Sequence, residues 1–467
     1  MHIVIIGAGF AGTALAVALL TRGGGDVGVT LVSRSGAPGQ GPAYGIGTPC
    51  LKLDRSVREM SVRADQPHHL VEWLFRRRFH IGAIYRPDSY IPRELYGQYL
   101  EETLASAAAL SSAAFRLVRS DVTAVQPDRV GYRIELGSGE TLAAGQVALA
   151  TGLTRRRPRA ASGRPIVTAF APGALAQMDE RDPVLIVGTG PSMADQVLLL
   201  NAAGHQGPIT AISRHGLAPL AHQPVAGEAK PPPGLRPATG LLPMVRMVRD
   251  AVADAAGNGE DWRPVIDGTA LSVPTLWQSL SAAEKLRALR HLRPFWKSHR
   301  HRIPPEAGAV IDACRASGRL RILAGTITAM EVANSRIDVT VRPRGSHETR
   351  RASFARVILC PGPARTIAAL PLLGGMMEAG MIRPGPARLG VDIAADATAL
   401  APDGARNEGL FAVGGLSVGA LYETIPEAMR QQCARVAGTM LERIKSDAAS
   451  WQRPELAAGT RPAGPAE

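Results

Sequence analysis

The chain has 467 residues and carries 53 Lys and Arg against 40 Asp and Glu, a formal net charge of +13. That length predicts two or three domains, each able to bury its own core, and no run of about 18 uninterrupted apolar residues suggests a membrane helix. Four widely spaced cysteines, Cys50, Cys314, Cys360 and Cys433, form no C-x-x-C or C-x4-C pair, which argues against a disulfide framework, a zinc site or a redox-active dithiol.

The first predicted element is a strand, His2–Ile6, entered from Met1 with no basic region or cleavage site of a signal peptide, so a cytoplasmic location is expected. It runs into Gly7-Ala8-Gly9-Phe10-Ala11-Gly12 and an apolar helix, and a second strand then ends at Ser33-Arg34. In such a turn the first glycine permits the bend and the second lets backbone approach a pyrophosphate. The third allows close helix–strand packing, and the helix N-terminus offers N–H groups to the anion. A Gly- and Pro-rich loop, 36–48, follows, in which Gly39, Gly41 and Gly45 would let backbone run close to a cofactor. Tyr44 in that loop has two readings, facing the ring of such a cofactor or packing the loop. Helices are predicted over Pro67–Phe79 and Pro92–Ala108, then a strand pair, Phe115–Val125 and Gly131–Leu136, of the kind that interrupts a Rossmann unit. Another buried strand ends at Thr151-Gly152.

The opening unit then recurs. A strand, Val184–Val187, leads into Gly188-Thr189-Gly190-Pro191-Ser192-Met193, and the next strand ends at Ser213-Arg214. Met193 replaces the third glycine, so this helix is expected to sit slightly farther from its strand. An acid at the second strand end usually grips a ribose 2′-hydroxyl, whereas Arg accommodates a 2′-phosphate. Both copies lack the acid. For the second copy, Ser213-Arg214 predicts NADPH; for the first, Ser33 is the candidate ribose partner, since FAD has no 2′-phosphate. One such turn is a weak signal, but two in one chain predict FAD and NADPH held face to face.

A Pro-rich connector with Pro231-Pro232-Pro233 and a helical insert come next, with a capping box, Ser281 to Glu284, opening a helix toward Arg293. The run Lys297–Arg302 admits several readings. His299 and His301 share a face if it is extended and lie about 200° apart if it is helical. With Arg300 and Arg302 they are candidates to neutralise an acidic substrate or a cofactor phosphate; the alternatives are a basic surface or a hinge held by internal ion pairs. From Gly318 strands return. Cys360 is expected at a strand end as a small buried hydrophobe, and Leu410–Val413 is read as a buried strand ending in Gly414-Gly415. A last helix, Pro426–Ile444, carries Arg430 three residues after Glu427 as a structural pair, and the Ala/Pro/Gly-rich tail from Ser446 reads as disordered. The clusters Arg76–Arg78, Arg155–Arg157 with Arg159, and Arg350-Arg351 lack aromatic interleaving or any nucleic-acid module, so solvated faces are expected and nucleic acid is not an expected partner.

Taken together these motifs resemble the bacterial FAD/NAD(P)-binding proteins of the YdhS type, relatives of the flavin-dependent N-hydroxylating and Baeyer–Villiger monooxygenases. The resemblance is carried by Gly39–Tyr44, Met60-Ser61, His69–Trp73, Ile91-Pro92-Arg93 with Tyr96-Gly97 and Tyr99-Leu100, Ser213–Leu217 with Pro219 and His222, Trp296 with His299–Arg302 and Pro305, and Tyr422-Glu423 with Arg430–Gln432. It departs from the pattern at Asp54, where the family usually has Asn, and at Gly414-Gly415, where many flavoproteins have Gly-Asp. The likeness implies an α/β fold of two Rossmann-like domains. A discontinuous FAD domain, 1–155 and 351–445, would enclose an NAD(P) domain, 156–350, with a helical insert at about 217–305 and a tail at 446–467. The expected cofactor residues are Gly7, Gly9, Gly12, Ser33, Arg34, Gly41, Tyr44, Thr151, Gly152, Gly414 and Gly415 for FAD, and Gly188, Gly190, Ser192, Ser213 and Arg214 for NADPH. The expected activity is an FAD-dependent, NADPH-consuming oxidation of a small molecule, with a monooxygenase favoured and no metal. A reductase without oxygen insertion, a non-catalytic nucleotide sensor and an RNA-acting flavoprotein are the alternatives.

Overall fold

The computed structural model describes residues 1–34, 37–129, 131–153, 165–171, 173–175, 178–223, 227–237, 240–333, 336–360, 362, 364, 366–422 and 425–451. Outside them lie the Arg155–Arg157 and Arg159 cluster, the expected 155/156 division, Glu423 and the tail from 452.

A strand whose residues are apolar on both faces must be covered on both faces. Accordingly β1 (His2–Ile6), with Ile3, Val4 and Ile5 fully buried, lies inside a sheet rather than at its edge. The apolar helix α1 (Phe10–Arg22) returns the chain to β2 (Gly28–Ser33), which pairs parallel to β1. The glycine loop forms one helical turn, α2 (Gly41–Tyr44). Next come α3 (His69–Ile81), stopped by Gly82 at φ +68°, and α4 (Arg93–Leu110), so each helix is shifted by one or two residues toward the C-terminus from its expected span.

The expected single strand Phe115–Val125 is two strands in two sheets. The first, β3 (Ala114–Arg119), pairs parallel to β2. At Ser120-Asp121 the chain leaves that sheet, with Ser120 N–H bonded to the Ser33 carbonyl and Gly137 N–H to the Asp121 carbonyl. Then β4 (Val122–Asp128), β5 (Gly131–Leu136) and β6 (Thr141–Ala144) make a separate antiparallel sheet, before β7 (Gln146–Leu149) pairs parallel to β1.

The second unit starts at β8 (Ile166–Thr168) and repeats the opening as β9 (Val184–Val187), α5 (Pro191–Ala202) and β10 (Ile209–Ser213). The insert follows as α6 (Leu241–Gly257), α7 (Arg263–Ser279), α8 (Ala282–Arg287) and α9 (Arg293–Arg300). The Ser281 capping box is formed, and a π-helical turn, Ala288–Leu292, carries the chain from α8 to α9. Entry and exit of the insert are tied together: Ala221 bridges Ile303 in parallel, and His222 N–H bonds the Ile303 carbonyl at 2.9 Å. The chain then rejoins the second unit through α10 (Pro305–Ala316), β11 (Leu320–Ala333), β12 (Arg336–Pro343), β13 (Arg350–Phe354) and β14 (Arg356–Leu359). Because β14 pairs in parallel between β9 and β8, the second sheet extends to Leu359, past the expected division at 350/351.

The return to the first sheet is made by α11 (Pro371–Glu378), β15 (Thr398–Leu400) and β16 (Arg406–Ala412), with β16 parallel to β7. After α12 (Val418–Leu421), the closing helix α13 (Pro426–Trp451) covers α1; it continues past Ile444, so 446–451 are helical rather than the start of a tail. Cys433, Val436, Ala437 and Met440 pack there in the same core as Ala14, Leu15 and Leu19. The insert reaches the first unit through Trp277, whose indole N–H donates to the Gly419 carbonyl at 2.8 Å and whose ring lies 4.6 Å from Tyr422. Among the described residues, no helix is long and apolar enough to cross a membrane.

The tightest point of the first unit is Gly12, where a Cβ would overlap the Gly7 carbonyl oxygen. That atom is backbone and cannot swing away, so α1 would have to lift off the sheet. Gly12→Ala is expected to destabilise the protein by about 2–4 kcal/mol, the range of overpacking and strain in a core, read as a lower urea midpoint with an unchanged slope.

Candidate functional site

The first turn is built by crowding on one side and space on the other. Gly7 holds φ +107°, donates its N–H to the Val32 carbonyl at 2.9 Å, and leaves only 2.7 Å between an added Cβ and the Ala150 carbonyl oxygen. Gly9, the N-cap of α1, has nothing within 4 Å of the same position. Three other chain segments approach this turn. Gly41, at φ +49°, approaches so closely that its Cβ would lie 3.6 Å from the Gly9 Cα. Gly152 sits at φ +64° at the end of β7, and Gly415 would touch its Cα at 3.4 Å. Gly414, at φ +65°, would meet the Ala11 side chain at 2.6 Å. Its N–H is held by Gln432 Oε1 at 2.9 Å, and its carbonyl accepts from Ser417 Oγ at 2.7 Å. The expected glycines of this unit are thus brought to one place, with Thr151 beside them.

The strand-end residues behave differently from one another. Ser33 is buried, 5% exposed, at the end of β2. Arg34 is exposed and its Nε lies 3.7 Å from Asp121. Tyr44 packs: its ring meets Tyr96 edge-on at 4.8 Å, the first contact in an aromatic row that continues through Tyr99 to Trp73. Tyr96 Oη donates to the Met60 carbonyl at 2.7 Å, and burial pushes the Tyr99 phenol up to about 12.

The second turn repeats the scheme. Gly188 holds φ +116°, donates to the Ile212 carbonyl at 2.8 Å, and an added Cβ would lie 2.9 Å from the Cys360 carbonyl oxygen. Gly190, the N-cap of α5, has open space where a Cβ would stand. Ser192 lies in the first turn of α5, while Met193 is fully buried in the second core. Ser213 is built into the turn, with its Oγ 2.8 Å from Thr189 Oγ1 and accepting from Gly216 N–H at 3.0 Å. Arg214 is exposed beyond it.

A set of polar contacts joins the two units. Arg93, at the start of α4, is bidentate to Asp195 in α5, with bonds of 2.9 and 3.0 Å. Lys52 pairs with Glu306 at 3.1 Å. His222 Nε2 donates to the Asp54 carbonyl at 3.0 Å, and its Nδ1 accepts from Arg302 Nε at 3.3 Å, which defines the neutral tautomer. Burial, then the Arg302 and Arg55 charges, bring the His222 pKa down to about 4.

The run at the end of the insert is helical through Arg300, with His301 as its C-cap. His299 turns back to the Phe295 carbonyl at 2.9 Å and meets the Trp262 ring at 5.1 Å, so the two histidines do not form one face. Arg300 and Arg302, 4% and 2% exposed, are both engaged by Asp267 of α7, at 3.3 and 2.6 Å. Of the readings open for this run, the guanidinium geometry is that of internal ion pairs at the base of the insert. Sequence reasoning did not find Asp195 and Asp267 as partners. Asp195 stood in plain view in the second turn, whereas nothing in the sequence around Asp267 marks it.

Residues 4–154 match the family model described as FAD-NAD(P)-binding. No curated protein matches the chain by sequence. The ornithine N-hydroxylase of Kutzneria sp. 744, a structure with reduced FAD, NADP+ and L-ornithine, is similar at a TM-score of 0.63 and 16% identity, covering 95% of this chain and 99% of that one. The L-lysine 6-monooxygenase of Pseudomonas syringae is similar at 0.63 and 18%, covering 94% and 99%. The FAD-bound cadaverine monooxygenase DfoA of Erwinia amylovora is similar at 0.63 and 14%, covering 100% and 99%. The chain therefore has the mixed α/β fold, with two dinucleotide-binding units, of these flavoproteins.

His222 gives a pH test. Its folded pKa, about 4, lies below the ordinary 6.5, so the unfolded chain binds the extra proton between those values. Its contribution is complete above pH 6.5 and is lost as pH falls toward 4. His222→Gln is expected to lower Tm at pH 7 and to reduce the fall in Tm between pH 7 and 5, measured by thermal denaturation. An unchanged fall would show that His222 is not the group responsible.

Proposed function

We propose that the chain is an FAD-dependent, NADPH-consuming oxidoreductase acting on a small molecule, and specifically an N-hydroxylating monooxygenase. The observation that carries the reading is the paired cradle. Gly9 and Gly190 each leave open space at a helix N-terminus, while Gly7 and Gly188 beside them admit no Cβ. Space of this kind fits a pyrophosphate against backbone N–H groups. The first cradle, with Gly12, Ser33, Gly41, Thr151, Gly152, Gly414 and Gly415, would hold FAD. The second, with Ser192 and Ser213, would hold NADPH, and Arg214 is the residue for its 2′-phosphate.

FAD held in the first cradle would supply the redox chemistry for which NADPH is the reductant. The chain's own share is to hold the two nucleotides in fixed relation and to exclude water. The insert, closing from one unit onto the other through Trp277, supports the second role. The four cysteines are free thiols, with Cys314 and Cys433 buried, which supports electron delivery to a small molecule rather than to a protein dithiol. The ornithine, lysine and cadaverine enzymes of like fold support oxygenation of an amine.

The test is an absorbance spectrum with added FAD, then anaerobic NADPH, then air in the presence of primary amines. The expected course is flavin bleaching by NADPH and hydroxylamine formation on admission of oxygen. Reoxidation yielding only hydrogen peroxide across the amine panel would assign a reductase or oxidase instead. Failure to bind flavin would remove the FAD reading and leave a nucleotide sensor. Gly9→Ala, which fills the first cradle without touching the core, is expected to weaken FAD binding about tenfold or more, ~1.4 kcal/mol, with the Tm of the FAD-free protein unchanged.

A further inference from the structure

Arg93 stands on a rigid ledge of the first unit. Segments 51–53 and 91–93 pair across it, with Leu53 N–H bonded to the Ile91 carbonyl and Arg93 N–H to the Leu51 carbonyl, both at 2.9 Å. Leu51 and Ile91 are fully buried and Leu53 nearly so, which leaves the ledge no freedom to swing. The guanidinium is fixed further by its Nε, which donates to the Lys52 carbonyl at 3.0 Å. Its two remaining nitrogens both reach Asp195, and the pair is nearly closed off from water, at 16% and 10% side-chain exposure.

Asp195 lies in the helix that starts at the open Gly190, between Ala194 and Gln196, which are both buried. The pair therefore runs from the ledge of the first unit to the helix that forms the second cradle. A buried ion pair repays its desolvation only in part, so net stability is a weak account of it. A planar guanidinium fork meeting a carboxylate with two parallel bonds constrains direction as well as distance. The neighbouring Lys52–Glu306 contact is a single bond at 33% and 60% exposure and offers no such constraint.

We infer that Arg93 and Asp195 are positioning residues, a bidentate latch between the units that sets the orientation of the second cradle toward the first and so the alignment of hydride transfer. This rests on the FAD and NADPH reading. Neither side chain needs to touch a nucleotide for this role. Alignment errors of about 1 Å cost on the order of 100-fold in rate, so loosening the fork should act on the transfer step more than on binding.

The decisive variant is Arg93→Lys, which keeps the charge and removes the fork. Asp195→Asn, which keeps the shape and removes the charge, is the second. In stopped flow without oxygen, both are expected to slow flavin reduction at saturating NADPH by about 10- to 100-fold, with NADPH Kd changed less than about threefold and FAD retained. A second readout needs no nucleotide: in the FAD-free protein, Arg93→Lys is expected to raise hydrogen exchange in 51–54, 91–96 and the first turns of α5, and to leave the sheet strands unchanged. Wild-type reduction rates together with wild-type exchange would overturn the latch. So would a rate loss that only follows lost FAD or lowered Tm, which is what a purely structural pair predicts. If the wild-type protein is not reduced by NADPH, the functional reading falls, and the exchange measurement still decides whether the latch holds the two units.

Discussion

Every other feature of the first unit depends on α1 lying directly on the Gly7 carbonyl, with no Cβ between them. Because the helix is that close, its N-terminus is aimed from a fixed point and Gly9 faces open space rather than core. The same closeness lets Gly414, more than 400 residues later, settle against Ala11 and bring Gly415 to Gly152. The second unit has the matching crowding at Gly188 but buries Met193 in place of the third glycine. Two turns with the same backbone logic are thus completed by different packing.

The two units are joined by polar contacts on one side and an apolar one on the other. Arg93–Asp195, Lys52–Glu306 and His222 with the Asp54 carbonyl all run between residues 52–93 and the second unit or the base of its insert. On the far side the insert packs Met244, Leu276, Trp277 and Leu280 against Leu389. An element covalently part of one unit is thereby docked on the other, and ties the two together.

Several arginines of the basic clusters are locally engaged. Arg77 pairs with Glu102, Arg78 lies over the Phe75 and Phe79 rings, Arg351 pairs with Asp338, and Arg300 with Arg302 share Asp267.

Local chemistry was enough to read both βαβ turns, the capping box at Ser281, the Arg430–Glu427 pair and the closing helix, because each depends on residues close in sequence and on glycine where φ must be positive. Long-range packing settled the rest. Whether Phe115–Val125 was one strand or two turned on hydrogen bonds to Ser33 and Gly137, and β14 joined the second sheet through parallel pairing with both β9 and β8. The basic run at 297–302 was open to an anion site or a hinge until Asp267 arrived from α7 to neutralise it. The sequence by itself determined that two glycine turns of the same kind exist, since glycine geometry is a property of the local chain. Only the tertiary structure decided how they face one another, because that relation is carried by side chains such as Arg93 and Asp195, 102 positions apart and meeting only after folding.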